Sequence, residues 1–212
     1  YFGHPDGRIT LVTETNVEII NVPARFPDAG PIHDLILDHQ QNLLIATQNN
    51  HMLRFSPAGT LSEITRSNGG PLTYHRFLKG PDSTIYAAGS NGQHHDIAEE
   101  RYSSHLVEIT GDSLVPVTEG PAHQDTLIDY GSAAFNSNGM LFAKYRTLSN
   151  GAGIFQVHPD GSRALFPASH HLLGNVINDI FIDRSDRVWV GQRGGVAVYR
   201  DKEWSSLTAR DN

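Results

Sequence analysis

The residues of this chain best suited to chemistry crowd into one stretch, SNGQHHDIAEERYSS, where His94, His95, Asp96, Glu99, Glu100 and Arg101 follow one another closely. Imidazole nitrogens with carboxylate oxygens suit a divalent metal. The same residues also suit a short helical turn over residues 96–102 capped by Asp96, or contact with a ligand or partner. A second group, His123, His170 and His171, lies in polar stretches between apolar runs. Adjacent histidines face opposite ways on a strand and can converge only from a loop. Arg146, Arg193 and His51 complete the polar set, and solvated loop histidines are the plain alternative throughout. There is no G-x-S-x-G, H-E-x-x-H or Walker lysine motif, so no catalytic residue is assigned.

What must position these groups is a repeat. Residues 177–183, 187–192, 195–200 and 204–208 are short apolar runs separated by Arg184-Ser-Asp, Arg193-Gly and Asp201-Lys-Glu. This pattern reads as a four-stranded antiparallel meander with tight turns. It recurs at residues 32–65, 73–118 and 130–167, and the large residue of the second strand falls at Leu44, Tyr86, Phe142 and Trp189. A lone sheet of this size cannot bury its two faces, so units must stack face to face. The chain therefore reads as all-β, a β-propeller of four complete blades in a single domain over residues 1–212. Residues 8–23 match only the third and fourth strands of a further unit. They predict an outer hairpin and make the chain a candidate fragment of a larger ring. Leu44, Tyr86, Phe142 and Trp189 are expected to be buried between blades.

This register places residues 90–103 in an oversized connection between the second and third strands of the 73–118 unit. Long loops on repeat scaffolds tend to carry function. Near the start of the first strands, matching positions hold Asp34, His75 or Arg76, Ser132 and Asp179. Two acids there suit a cation or a sugar hydroxyl, and they equally suit backbone amides of a neighbouring blade. Asp38 and Asp183 read as turn formers.

Composition narrows the partners. With a net charge of −7 and a pI near 5.9, the chain lacks the basic stripe of a nucleic-acid groove. No apolar run is long enough for a membrane span, and the absence of cysteine removes thiolate metal sites.

The 175–200 unit resembles the repeat of the two-component regulator propellers: Asn178, Asp183, Trp189, Gly191 and Gly195 fit, with Gln192 where threonine is usual. In residues 32–65, Asp38 and the Leu-Ile-Ala-Thr strand fit as well. The resemblance implies a periplasmic or extracellular ligand-sensing or protein-interaction module of a signalling protein. Its partners would be a small-molecule or carbohydrate-like ligand, or other domains. The outline, with turns such as Pro159-Asp-Gly, is also similar to gluconolactonase-like and streptogramin-lyase-like propellers, which would imply a metal-dependent lactonase or lyase. Gluconolactonase-like enzymes hold their metal with a glutamate, an asparagine and an aspartate. No channel glutamate matches here, since Glu14 and Glu18 fall on outer strands. The expected ligand-binding set is thus Asp34, His75, Arg76, His94, His95, Asp96, Arg101, His123, Arg146, His170, His171, Asp179 and Arg193, with a divalent metal as a candidate cofactor.

Overall fold

Asp38, Asn136 and Asp183 end three of the first strands, and their side chains show why the chain reverses there. In the computed structural model, which describes residues 1–66, 73–90, 104–117, 126–147, 151–167, 176–201 and 203–208, each accepts two backbone amides of its own turn. Asp38 Oδ1 takes the N–H groups of Gln40 and Asn42, each at 2.8 Å. Asn136 Oδ1 takes those of Asn138 and Met140, at 3.1 and 2.8 Å. Asp183 Oδ1 takes those of Ser185 and Arg187, at 2.8 and 3.1 Å. Three residues after each, the backbone is left-handed: Gln41 at φ 64°, Gly139 at 78° and Asp186 at 57°. Ser83, at φ 68°, holds the same place in the 73–118 unit. A side-chain acceptor that mimics a backbone turn, followed by one left-handed residue, makes a tight hairpin connection.

These hairpins build five sheets. The first contains β1 (Phe2–Gly3), β2 (Arg8–Val12) and β3 (Val17–Asn21) in that order, and a 3-10 turn at Val22–Ala24 follows. The second contains β4 (Ile32–Leu37), β5 (Leu43–Thr47), β6 (Met52–Phe55) and β7 (Leu61–Glu63). The third is five-stranded, with β8 (Thr65–Arg66), β9 (Thr73–Lys79), β10 (Ile85–Ser90), β11 (Ser104–Thr110) and β12 (Ser113–Pro116) in the order β8-β12-β11-β10-β9. The fourth runs through β13 (Thr126–Phe135), β14 (Leu141–Thr147), β15 (Ala152–Val157) and β16 (Arg163–Pro167). The fifth runs through β17 (Ile177–Ile182), β18 (Val188–Gln192), β19 (Gly195–Arg200) and β20 (Glu203–Thr208). No described helix is long and apolar enough to cross a membrane.

Two features differ from the repeat as read. The hairpin of residues 8–22 forms, but β1 adds a strand to it through the pairs Phe2 with Thr10 and Gly3 with Ile9. The chain also changes sheets within the 32–65 unit. Ile64 donates its amide to the Met52 carbonyl at 2.8 Å, and the next two residues, as β8, pair in parallel with β12. Arg54 reinforces this crossing by donating to the Asp112 carboxylate and the Gly111 carbonyl.

Packing divides the chain into two units, residues 1–77 with 83–119, and residues 78–82 with 120–212. In the first, β5 is buried along its whole length, and strand alternation gives it two apolar faces. Leu43 and Ile45 meet Ile9, Ile20 and Val22, while Leu44 and Ala46 meet Tyr74, Phe77, Ile85, Ala87, Val107 and Leu114. In the second unit, Phe142 and Ile154 pack against Ile180, Val188, Val190 and Ala197.

The expectation for the four large second-strand residues holds for Leu44 and Phe142, each almost fully buried, and fails for Tyr86 and Trp189, which are only partly buried. Trp189 stands opposite Phe181 and Val198, on the face away from Ile180, Val190 and Ala197. Val198 on that face is buried while Phe181 is 62% exposed, so the indole is covered only in part. Its ring is held by polar contacts instead: Nε1–H donates to Asp183 at 2.8 Å, and the Arg187 guanidinium lies 5.2 Å from the ring centre.

Two stability measurements test this arrangement. Phe142→Ala should cost about 3 to 5 kcal/mol and Trp189→Ala clearly less, as read by urea unfolding. Gln41→Gly should raise stability by about 0.5 to 1 kcal/mol, because glycine adopts the left-handed conformation without the steric penalty glutamine bears. A neutral or destabilising result for Gln41→Gly would contradict this account of the turn.

Candidate functional site

The innermost strands of neighbouring sheets are joined side chain to backbone. On β4, Asp34 accepts the Leu35 amide through Oδ1 at 2.8 Å and the Phe77 amide of β9 through Oδ2 at 2.7 Å. Both oxygens of Asp34 are thus engaged, one of them across to the next sheet. On β17, Asp179 begins the same way, with Oδ1 accepting the Ile180 amide at 2.9 Å, and its side chain is exposed. Ser132, at the matching place on β13, donates its hydroxyl to the Asn178 carbonyl at 3.2 Å. Asp34 therefore bonds across the seam in the way the backbone-partner reading of the two acids described, Asp179 bonds the next amide of its own strand, and Ser132, outside that reading, crosses its seam to a carbonyl.

His75 and Arg76 follow on β9, both half-buried. The His75 ring lies 5.5 Å from that of His33, tilted by 35°. His33 in turn places Nδ1 3.2 Å from the Tyr74 carbonyl. The reading of residue types named His33 only as an alternative to His75 at a strand start, since its neighbours along β4 are plain strand residues. What brings it forward is a register shift between Ile32 and Asp34, which leaves it as the extra residue of a bulge.

The remaining candidates are spread out. Arg193 is exposed in the turn after β18, and its amide donates to the Val176 carbonyl at 3.3 Å. Arg146 belongs to β14, where its backbone stands opposite Leu127 and Ala152. His94, His95, Asp96, Arg101, His123, His170 and His171 lie outside the described residues.

Another group was only half visible in the sequence. His51, in the turn between β5 and β6, has Glu63 Oε1 at 2.7 Å from Nδ1 and Asp28 Oδ1 at 3.4 Å from Nε2, with the Phe26 ring 5.7 Å away. The carboxylates address opposite nitrogens of one ring, which holds the imidazole in place without converging on a common point. Among the described residues, no three histidine or carboxylate groups converge as a metal cage.

The strongest electrostatic effect belongs to Asp183. Its hydrogen bond from the Trp189 indole, aided by the Ser185 amide and the Arg187 side chain and amide, holds the carboxyl well below the usual carboxylate range against some opposition from burial. Asp183 shares one oxygen between Trp189 and Arg187, whose Nε lies at 2.6 Å. This is turn chemistry rather than a ligand site.

No protein-family model matches the chain, and no curated protein does. Solved structures do. Virginiamycin B lyase from Staphylococcus aureus, in an inactive form with quinupristin, superimposes with a TM-score of 0.66 at 14% identity, covering 96% of this chain and 63% of that one. The extracellular domain of a one component system from B. thetaiotaomicron gives 0.62 at 16% identity, covering 100% of this chain and 30% of that one. A gluconolactonase from Xanthomonas campestris gives 0.58 at 15% identity, covering 84% and 61%. The chain thus spans less than two thirds of the length of each. Together with the stacked antiparallel sheets, these likenesses define the fold as all-β, of the β-propeller class. At such identity they fix the architecture alone.

Asp183 supplies a test of the electrostatics. Because its folded carboxyl is more acidic than in the unfolded chain, its contribution is fully present above the unfolded value near 3.9 and is lost as pH falls through the lower folded value. In urea melts from pH 7 down to pH 3, Asp183→Asn should therefore flatten the acid-side loss of stability relative to wild type. Identical slopes would show that Asp183 is not held as described.

Proposed function

We propose that this chain is a recognition module: a propeller that senses a ligand or docks a partner, working extracytoplasmically within a signalling protein. The observation that carries this reading is Asp34. Its carboxylate accepts the Leu35 and Phe77 amides, one on each oxygen, which supports a first duty to the seam between sheets. Two further points support it. The extracellular domain of the one component system covers the full length of this chain, and the 175–200 unit carries the regulator-propeller pattern from Asn178 to Gly195.

In this reading the candidate binding residues are His75, Arg76, His94, His95, Asp96 and Arg101 in the first unit, and His123, Arg146, His170, His171, Asp179 and Arg193 in the second. Arginine forks and imidazoles suit the hydroxyl and carboxylate groups of a carbohydrate-like ligand, and equally an acidic surface of another domain. A second reading, a metal-dependent lactonase or lyase, draws on the likeness to the lyase and gluconolactonase structures.

The two readings separate in one set of measurements on the purified chain: metal analysis, hydrolysis of simple lactones with and without chelator, and a thermal-shift screen of sugars and sugar acids. Recognition predicts a saturable rise in Tm with a subset of ligands, no turnover, and at least a tenfold loss of affinity in Arg193→Ala. Chelator-sensitive lactone hydrolysis would overturn it.

A further inference from the structure

His33 and His75 occupy the same place in successive repeats. Asp34 precedes Leu44 by ten residues, as Arg76 precedes Tyr86, and each histidine stands one residue before that landmark. On β4 this is the bulge: Ile32 pairs with Thr47 and Asp34 with Ala46, so His33 opposes no residue of β5. A bulge frees its extra residue from strand alternation and re-aims the side chain. The His33 side chain is exposed, and its ring meets that of His75 with centres 5.5 Å apart.

Two details make this more than a ring contact. The Tyr74 carbonyl, 3.2 Å from Nδ1 of His33, can only accept, so Nδ1 carries the proton and the lone pair of the neutral ring sits on Nε2. Fixing one ring nitrogen on a backbone carbonyl is the usual way a protein prepares a histidine for a metal. The separation also fits. Two imidazoles bound at about 2.0–2.1 Å in tetrahedral geometry bring their ring centres to roughly 5 to 5.5 Å. The 35° tilt between the planes is compatible with two ligands of one ion, because each ring can turn about its metal–nitrogen bond.

We propose that His33 and His75 form a two-imidazole site for a nitrogen-seeking divalent metal of the zinc, nickel or copper type, on the innermost strands β4 and β9. Oxygen-seeking magnesium and calcium are excluded by the donor type. With two protein ligands the remaining coordination positions fall to water or to donor atoms of a bound molecule, so the site is an open one. It rests on these two rings and does not depend on the recognition function.

The test uses the full chain and Zn2+ alone. Calorimetric titration should show one Zn2+ per chain, with no corresponding heat from Mg2+. His33→Gln and His75→Gln should each weaken binding at least tenfold, while His39→Ala, in an exposed turn, should leave it unchanged. In wild-type protein, imidazole 15N resonances should shift on titration at His33 and His75, with the His33 change at Nε2; this readout does not depend on how the variants fold. Absence of Zn2+ binding, retained affinity in both folded glutamine variants, or shifts confined to other histidines would overturn the site.

Discussion

A narrow antiparallel sheet with apolar residues on both faces has too little of itself to cover them, and the rest of this structure answers that constraint. β5 shows it most plainly: all five of its residues are buried, alternate ones against different neighbouring sheets. Full burial of a leucine or isoleucine contributes about 1.5 to 3 kcal/mol, so a sheet covered on both faces gains roughly twice what a sheet covered on one face gains. Where the cover is missing, the same residue types remain in contact with water. Ile19 is 57% exposed on the first sheet and Leu207 equally so on the fifth.

Face-to-face stacking has a polar corollary at the innermost strands. Backbone groups brought close across a seam need partners, and here short side chains supply them: Asp34 to the Phe77 amide, Ser132 to the Asn178 carbonyl, His33 to the Tyr74 carbonyl. Irregularity in the ladder makes this reach possible. The register shifts at His33 on β4, at Asn178 on β17, and between Asp129 and Ala134 on β13. Each lies near the start of a first strand, so the feature that lets a strand bond to the next sheet also turns a side chain away from the core.

The legible part of the fold was whatever period and turn chemistry encode. The spacing of Asp38, Asn136 and Asp183 from their second strands announces the hairpins, and the alternation of β18 and β19 announces their strands. The unread parts each involve information outside the local pattern. Gln41 and Asp186 are left-handed because the turn demands it, although neither residue type prefers that conformation. β1 is two residues long, too short to carry a period, and β8 is visible only through its partner in another sheet. Trp189 looked like core because it is large and apolar, but burial depends on what lies opposite, and Phe181 opposite it is itself exposed. At the candidate site, residue type raised Asp34 and His75 and named His33 only as an alternative to His75, while the bulge that presents His33 has no signature in residue type at all.

The repeated positions of this chain carry different physical obligations. The turn row reads Asp38, Gly80, Asn136 and Asp183, and in three of its four places a short acceptor takes the turn amides. Along the seam the row reads Asp34, Arg76, Ser132 and Asp179, and the residues whose bonds are seen there bond to backbone. The row one residue earlier reads His33, His75, Gly131 and Asn178. In this chain the two members of that row carrying imidazole stand on successive repeats with ring centres 5.5 Å apart, so equivalent places on neighbouring repeats bring like side chains together wherever both repeats carry the same one.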